Sequence, residues 1–396
     1  MKANRFRLRP RPRGALALSL AAVLLATGCQ AAAQGPTEEV VIGADLELSG
    51  PDAAIGKVYA QALQLRVDEV NQEAQLGNRR LKLVIRDNRS DPATAAANIS
   101  TLAADSSVKV LVTGACGPCI VGAAKTVNDA QVPTIALARP VGVSTPVADR
   151  KYIFKLAPNA DDDAAVLVSE LNAGGVQRVA LVGLDDQFAN ESLDALTSKF
   201  NRSGLSTVAT EKVGAAGAEV GGAASRIAKR AQPPQAVVIL ASSPIAGQVA
   251  KALRNEGFTG RLMFGSAAAD SLFLTGDTAA ALDGASLVFT PTFVSDDIIA
   301  TSPAKASRVS WFRNYMSTYG TYNAYASFAA DAIGIVVEAI GQTNGTDRNA
   351  LRTAIESSRL DGLSGPIRIT PANHSGLMPQ AVTMLVAANG RWRLAS

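Results

Sequence analysis

Histidine is almost absent: His374 is the only one in 396 residues. One imidazole excludes histidine metal clusters and catalysis built on repeated histidine acid–base pairs. No Gly-x-Ser-x-Gly elbow and no phosphate-binding P-loop is present either, which removes two large hydrolase and nucleotidase classes. Past Cys29 no apolar run crosses a bilayer comfortably; the stretch 324–340 is interrupted by Asp331 and Glu338. A genuine excess of positive charge is missing too. The formal net charge is +4, but Lys2, Arg5, Arg7, Arg9, Arg11 and Arg13 all precede Cys29 with no acid among them. Without those six, 32 basic residues face 34 acidic ones, so no electrostatic footprint for nucleic acid survives.

What the first residues contain is a leader. A basic stretch, 2–13, precedes an apolar run, 15–26, that has the length of a signal-peptide core. It ends in Leu25-Ala26-Thr27-Gly28-Cys29, which resembles the lipobox of bacterial lipoproteins. The expectation is a signal peptide over 1–28, a lipid-carrying Cys29 that anchors the protein outside the cytoplasm, and a tether over 29–38. A plain secretory signal with an incidental cysteine is the alternative.

From Glu39 onward, short β-branched runs alternate with Ala-rich helical segments. The strands are predicted at 40–42, 81–85, 108–112 and 134–137, and the helical segments include Ala60, Leu63, Val67 and Val70 on one face. The pattern restarts at 152–154 and repeats through 178–182, 207–210, 236–240 and 262–264. Helices at 304–319, 323–340 and 349–358 follow, and two strand-like pieces, 366–369 and 381–387, close the chain. Nearly continuous apolar strands alternating with helices mean parallel sheets covered on both faces. The fold class is therefore α/β, in two Rossmann-like units, with ligand chemistry expected in the loops at the carboxyl ends of the strands.

The ordered motifs carry a resemblance. They are Val41-Ile42-Gly43 running into Ser49-Gly50-Pro51 and Gly56, Arg86-Asp87-Asn88 with Asp91-Pro92, Val132-Pro133-Thr134-Ile135, Phe154-Lys155-Leu156-Ala157-Pro158, Asp185-Asp186-Gln187-Phe188, Tyr325-Ala326 with Ala330-Asp331-Ala332, and 361–367. Together they resemble the type I periplasmic solute-binding proteins of the branched-chain amino acid class. The resemblance implies two lobes with parallel central sheets joined by three crossovers, near Ala157-Pro158, Pro291-Thr292 and Asp361-Gly362. Lobe 1 would hold 39–157 plus 292–361, and lobe 2 would hold 158–291 plus 362–396. Closure over a ligand by hinge motion is established for that class rather than read from these residues. The implied role is capture of a small polar solute, an amino acid or a related carboxylate or amide, for the permease of an ATP-binding-cassette importer, with no cofactor, no metal and no catalytic residue. A sensor of the same fold that signals to a membrane partner is the alternative.

The candidate ligand residues follow from the strand-end loops. Ser49, Asp87 and Ser242 qualify by loop position. The loop after the third strand, which holds the ligand carboxylate in amino acid binders, contributes Cys116, Gly117 and Cys119 but lacks the usual hydroxyls. The next loop offers Ala138 and Arg139; the arginine either clamps a carboxylate or is an exposed loop residue. Phe188 fits the aromatic position of the second lobe, as a platform or as packing. Asp186 either meets an ammonium or caps a helix. Ser266 completes the set, with no acid nearer in sequence than Asp270. Cys116-Gly117-Pro118-Cys119 is also the thioredoxin tetrapeptide, but the tryptophan before it is replaced by Ala115. A local disulfide is expected, and thiol oxidoreduction is the lesser reading. Trp311, Phe312, Tyr315 and Tyr319, at helical spacing, read as packing.

Overall fold

The computed structural model describes residues 38–270, 279–297 and 301–395. The leader, Cys29 and the tether up to residue 37 lie outside them.

The first half alternates as the sequence pattern predicts through β4: β1 (Glu38–Leu46), α1 (Ala53–Gln72), β2 (Arg79–Asp87), α2 (Pro92–Ala104), β3 (Val108–Thr113), α3 (Gly117–Asp129) and β4 (Thr134–Ala136). β5 (Ile153–Lys155), read from the sequence as the restart of the pattern, pairs with β4 and closes the first set instead. The five strands form one parallel sheet in the order β2-β1-β3-β4-β5. β1 is buried on both faces because both are apolar. Val40, Ile42, Ala44 and Leu46 enter one core, and Val41 enters a second with Leu111 and Ile120. The helix starts are encoded locally. Asp91 caps α2 by accepting the Thr94 N–H at 2.7 Å, and Pro92 takes the first helical position, where its missing N–H costs nothing.

After β5 the chain crosses to a second set: α4 (Ala160–Ala173), β6 (Arg178–Leu184), α5 (Gln187–Ser203), β7 (Ser206–Val213), α6 (Val220–Ala228), β8 (Ala236–Leu240), α7 (Ser243–Asn255), β9 (Arg261–Phe264), α8 (Ala279–Leu282) and β10 (Ser286–Phe289). The second sheet begins with the same order, β7-β6-β8-β9-β10, and is parallel to that point.

The chain then returns. α9 (Pro303–Tyr319), α10 (Ala326–Thr343) and α11 (Arg348–Glu356) follow, and α10 packs against α1 of the first unit. Arg348 fixes the return by donating to the carbonyls of Ala103, Val108 and Ala130. A short hairpin, β11 (Arg359–Asp361) and β12 (Pro366–Arg368), leads back to the second sheet, where β13 (Thr383–Ala388) and β14 (Arg391–Leu394) extend its edge. This is an α/β fold of two Rossmann-like halves, connected by three passages of the chain. Trp311 and Tyr315 pack against each other within α9, with ring centroids 5.3 Å apart and planes tilted by 38°.

One feature departs from parallel sheets. β13 runs antiparallel to β10, and β14 antiparallel to β13. For β14 the cause is local: Asn389 and Gly390 both take positive φ, 55° and 73°, forming a two-residue turn that joins antiparallel neighbours.

Candidate functional site

In both sheets the strand order reverses between the first strand and the third, at β1/β3 and at β6/β8. Such switch points open a crevice at the strand carboxyl ends. At the first of them stands Glu47, one residue beyond β1 and fully buried. Its Oε2 accepts the Ala115 N–H and its Oε1 the Cys116 N–H, both at 3.0 Å. The Asn88 amide bridges Glu47 Oε1, at 3.3 Å, and Asp45 Oδ2, at 2.9 Å, while Asn98 holds Asp45 Oδ1 at 2.9 Å. Glycine is required beside this carboxylate: a Cβ on Gly114 would lie 2.1 Å from Glu47 Oε2. Burial pushes the Glu47 carboxyl above its usual range, and the Cys116 and Ala115 amides oppose it. Burial likewise raises Asp45 to about 6.

Ser49 and Asp87 meet at the same end, but they are spent on each other. Asp87 accepts the Ser49 hydroxyl at 2.7 Å and the N–H groups of Leu48, Ser49 and Arg89, so it organises the loop after β1. Cys116 occupies the cap position of α3. Its Sγ accepts the Cys119 N–H at 3.2 Å, and the two Cα atoms are 5.2 Å apart with the sulfurs in bonding distance. Gly117 packs on the Pro140 ring, where a Cβ would come within 2.7 Å, so the loops after β3 and β4 touch.

The loop after β4 reaches across to the second half. Ala138 is buried. Arg139 is half-buried. Its Nη1 donates to the Tyr325 hydroxyl at 3.2 Å, and its guanidinium carbon lies 4.8 Å from the Phe188 ring centre. Phe188, in the first turn of α5, is 5 % exposed and supplies a platform for that cation. The Tyr325 hydroxyl donates onward to the Ser266 carbonyl at 2.9 Å, and the Ser266 N–H donates to Asp163 Oδ2 at 3.0 Å. Next door, Glu191 accepts the Val141 N–H at 2.9 Å and the Gln187 amide at 3.0 Å, a second tie between the halves. A cavity of about 530 Å³ opens beside it, lined by Arg139, Val141, Asp161, Asp162, Glu191 and Asp194 among others.

At the end of this path Asp163 Oδ1 and Ser266 Oγ are buried; the Ser266 side chain acts on the Asp163 carboxylate, and neither atom has a further partner among the described residues. Buried polar atoms in native interiors are as a rule hydrogen-bonded, so these two are free to meet a further partner. Burial pushes Asp163 up to about 7. Lys155, buried at the end of β5, is pushed down to about 7 by burial against the pull of Glu191, Asp162 and Asp163. Its Nζ donates to the carbonyls of Ala157 and Pro158 and, at 2.5 Å, to Asn159 Oδ1. The arrangement can hold a small molecule that offers an acceptor to Arg139 and a donor to Asp163 and Ser266.

Two candidates sit apart from this network. Asp186 caps α5 by accepting the Ala189 N–H at 2.7 Å. Ser242 holds the cap position of α7 without a capping bond from its side chain. Four residues outside the candidate set carry the geometry instead: Glu47, Lys155, Asp163 and Tyr325. Asp163 hid in the run Asp161-Asp162-Asp163, which reads as ordinary acidic decoration of a helix start. Glu47 had a faint signal, an acid placed between two leucines.

The profile of the periplasmic binding proteins matches residues 39–391. An amino acid binding protein of Pseudomonas aeruginosa is 23% identical over 256 residues, covering 63% of this chain; the match spans 65% of that relative's own length. Among solved structures, an extracellular ligand-binding receptor from Rhodopseudomonas palustris HaA2 superposes with a TM-score of 0.79 at 24% identity, over 90% of this chain and 99% of the other. The leucine-binding protein LivK of Thermotoga maritima superposes with a TM-score of 0.73 at 20% identity, over 90% and 98%.

Proposed function

The chain belongs to the periplasmic binding protein family, and from that premise we propose that it is an extracytoplasmic receptor that shuts its two lobes on a small polar solute, an amino acid or a related carboxylate or amide. The observation that carries this reading is the buried polar path that runs from Asp163 and Ser266 through Tyr325 to Arg139 from the other half, with Asp163 Oδ1 and Ser266 Oγ left without a further partner among the described residues. Arg139 anchors a carboxylate or amide oxygen, Phe188 packs on the guest, and Asp163 with Ser266 accepts its donor group. Lobe 1 comprises 39–157 plus 292–361, and lobe 2 the segments 158–291 plus 362–396. The names of the relatives, an amino acid binding protein and a leucine-binding protein, support the solute class.

The leader and the sequence ending in Cys29 support export and a lipid anchor on that cysteine, which would tether the receptor to the bacterial cell membrane outside the cytoplasm. Among the described residues no helix is long and apolar enough to cross a membrane. Delivery to the permease of an ATP-binding-cassette importer is the proposed outcome of binding. Outside the cytoplasm Cys116 and Cys119 form a disulfide, and we assign them no catalytic role.

A thermal-shift screen of amino acids, aliphatic and aromatic carboxylates, amides and short peptides tests the reading, because a ligand bound to the folded state raises the melting temperature. One compound class is expected to raise it. The double variant Arg139→Ala/Asp163→Asn is expected to lose that response, and unchanged affinity in the double variant refutes the site. Uptake of the labelled ligand by a deletion strain separates import from sensing: an importer's receptor is needed for uptake, whereas a sensor's is not.

A further inference from the structure

Glu47 stands where a guest would find its best anion seat. The N–H groups of Ala115 and Cys116 point from the loop after β3 at the start of α3, at the switch point of the first sheet, a natural position for a ligand carboxylate. Both are already taken by the protein's own carboxylate, each at 3.0 Å. The fit is built in from several sides. Gly114 has no Cβ, and one would strike Glu47 Oε2; Gly56 has none either, and one would lie 2.0 Å from the Glu47 carbonyl oxygen. Asn88 adds a third donor to the same carboxylate. The neighbouring acids, Asp45 and Asp87, leave this end of the crevice negative. Thr113 Oγ1, one residue before Gly114 and paired in register with Asp45, is also buried without a partner among the described residues.

We propose that Glu47 is a specificity-determining residue, a built-in carboxylate that keeps guest carboxylates out of the seat at the start of α3. The guest therefore presents an amide or ammonium group to the first lobe at this point, and any carboxylate it carries goes to Arg139. This selects amides, amines and singly anionic solutes over solutes that need a carboxylate seat on the α3 amides. It rests on the proposed ligand cleft but answers to a different measurement.

The probe is formate, with formamide as the neutral control, added to the exported chain labelled with ¹⁵N. In the wild type the amide signals of Ala115 and Cys116 are expected to stay unmoved, because their acceptor is already present. In Glu47→Gly both signals are expected to shift saturably with formate but not with formamide, and formate raises the melting temperature of the variant by about 3 °C or more over its effect on the wild type. Formate that shifts both amides in the wild type overturns the proposal, as does a folded Glu47→Gly that ignores formate. The wild-type arm stands by itself if the variant does not fold. Failure of the cleft reading looks different: binding of the screened ligand would then survive loss of Arg139 and Asp163, whatever formate does.

Discussion

Asp163 and Ser266 lie 103 positions apart in the chain, yet the Ser266 N–H donates to Asp163 Oδ2 at 3.0 Å, and Asp163 Oδ1 is left without a further partner among the described residues. Burial makes such a carboxyl costly to ionise. Burial raises Asp163 from 3.8 to about 7, so the folded state keeps a proton that the unfolded chain has already released. The stability this supplies is complete below about pH 4 and is lost as the pH rises through about 7. Asp45 and Asp331, each raised to about 6, act in the same sense. Asp163→Asn removes one share of it. Urea denaturation between pH 4 and 8 is expected to show the wild type losing its advantage over the variant as pH rises, by up to about 1 kcal/mol per pH unit. A gap independent of pH would show that Asp163 ionises normally.

The sequence told most about the elements and least about the encounters between them. Asp91-Pro92 announced the start of α2, and the β-branched run at 236–240 announced a strand buried on both faces, because cap chemistry and burial are written in adjacent residues. The turn at Asn389-Gly390 and β14 beyond it went unpredicted, since the four residues of the strand include two arginines and lack an apolar run. Arg139 and Phe188 were recognisable as candidates by their loops. Their stacking, and the path through Tyr325 to Ser266 and Asp163, depend on which strand ends face one another, and no local pattern encodes that.

Arg139 tests the cleft from the first lobe. Its guanidinium is fixed by the Phe188 ring and the Tyr325 hydroxyl, which leaves it oriented before a guest arrives. A hydrogen bond to a charged group contributes about 1.5–3 kcal/mol, so Arg139→Ala is expected to weaken the ligand found by thermal shift about tenfold to a hundredfold. Arg139→Lys keeps the charge but not the planar fork, and an intermediate affinity is expected. Calorimetric titration of the three proteins decides it; equal affinities place the anchor elsewhere.

Cys116 and Cys119 enclose a very short loop, so the chain-entropy argument gives their bond only about 2 kcal/mol. The Glu47 carboxylate on the Cys116 N–H also places negative charge where a reactive cysteine would need positive potential to favour its thiolate. Cys116→Ser/Cys119→Ser is therefore expected to melt a few degrees lower, to bind its ligand with unchanged affinity, and to match the wild type in an insulin-reduction assay, where neither protein is active. Reduction of insulin by the wild type alone would restore the oxidoreductase reading.

Asp331 governs the last passage between the halves. From the buried face of α10 its Oδ1 accepts the Leu363 N–H at 2.7 Å, and its Oδ2 accepts the Ser364 N–H at 2.7 Å and the Ser364 hydroxyl at 2.6 Å. All three donors belong to the connection between β11 and β12, and Gly362 leaves room for the carboxylate, since a Cβ there would lie 2.6 Å from Oδ2. Asp331→Ala strands two backbone N–H groups and a hydroxyl away from water, which costs about 3 kcal/mol or more. Asp331→Asn keeps the volume but turns a donor toward donors, so it is expected to recover little of that loss. Because this segment joins the lobes, hydrogen exchange at Leu363 and Ser364 should accelerate more than exchange in β1 or β8. Uniform acceleration across both sheets would mean that the contact supports the whole fold equally and not this strap in particular.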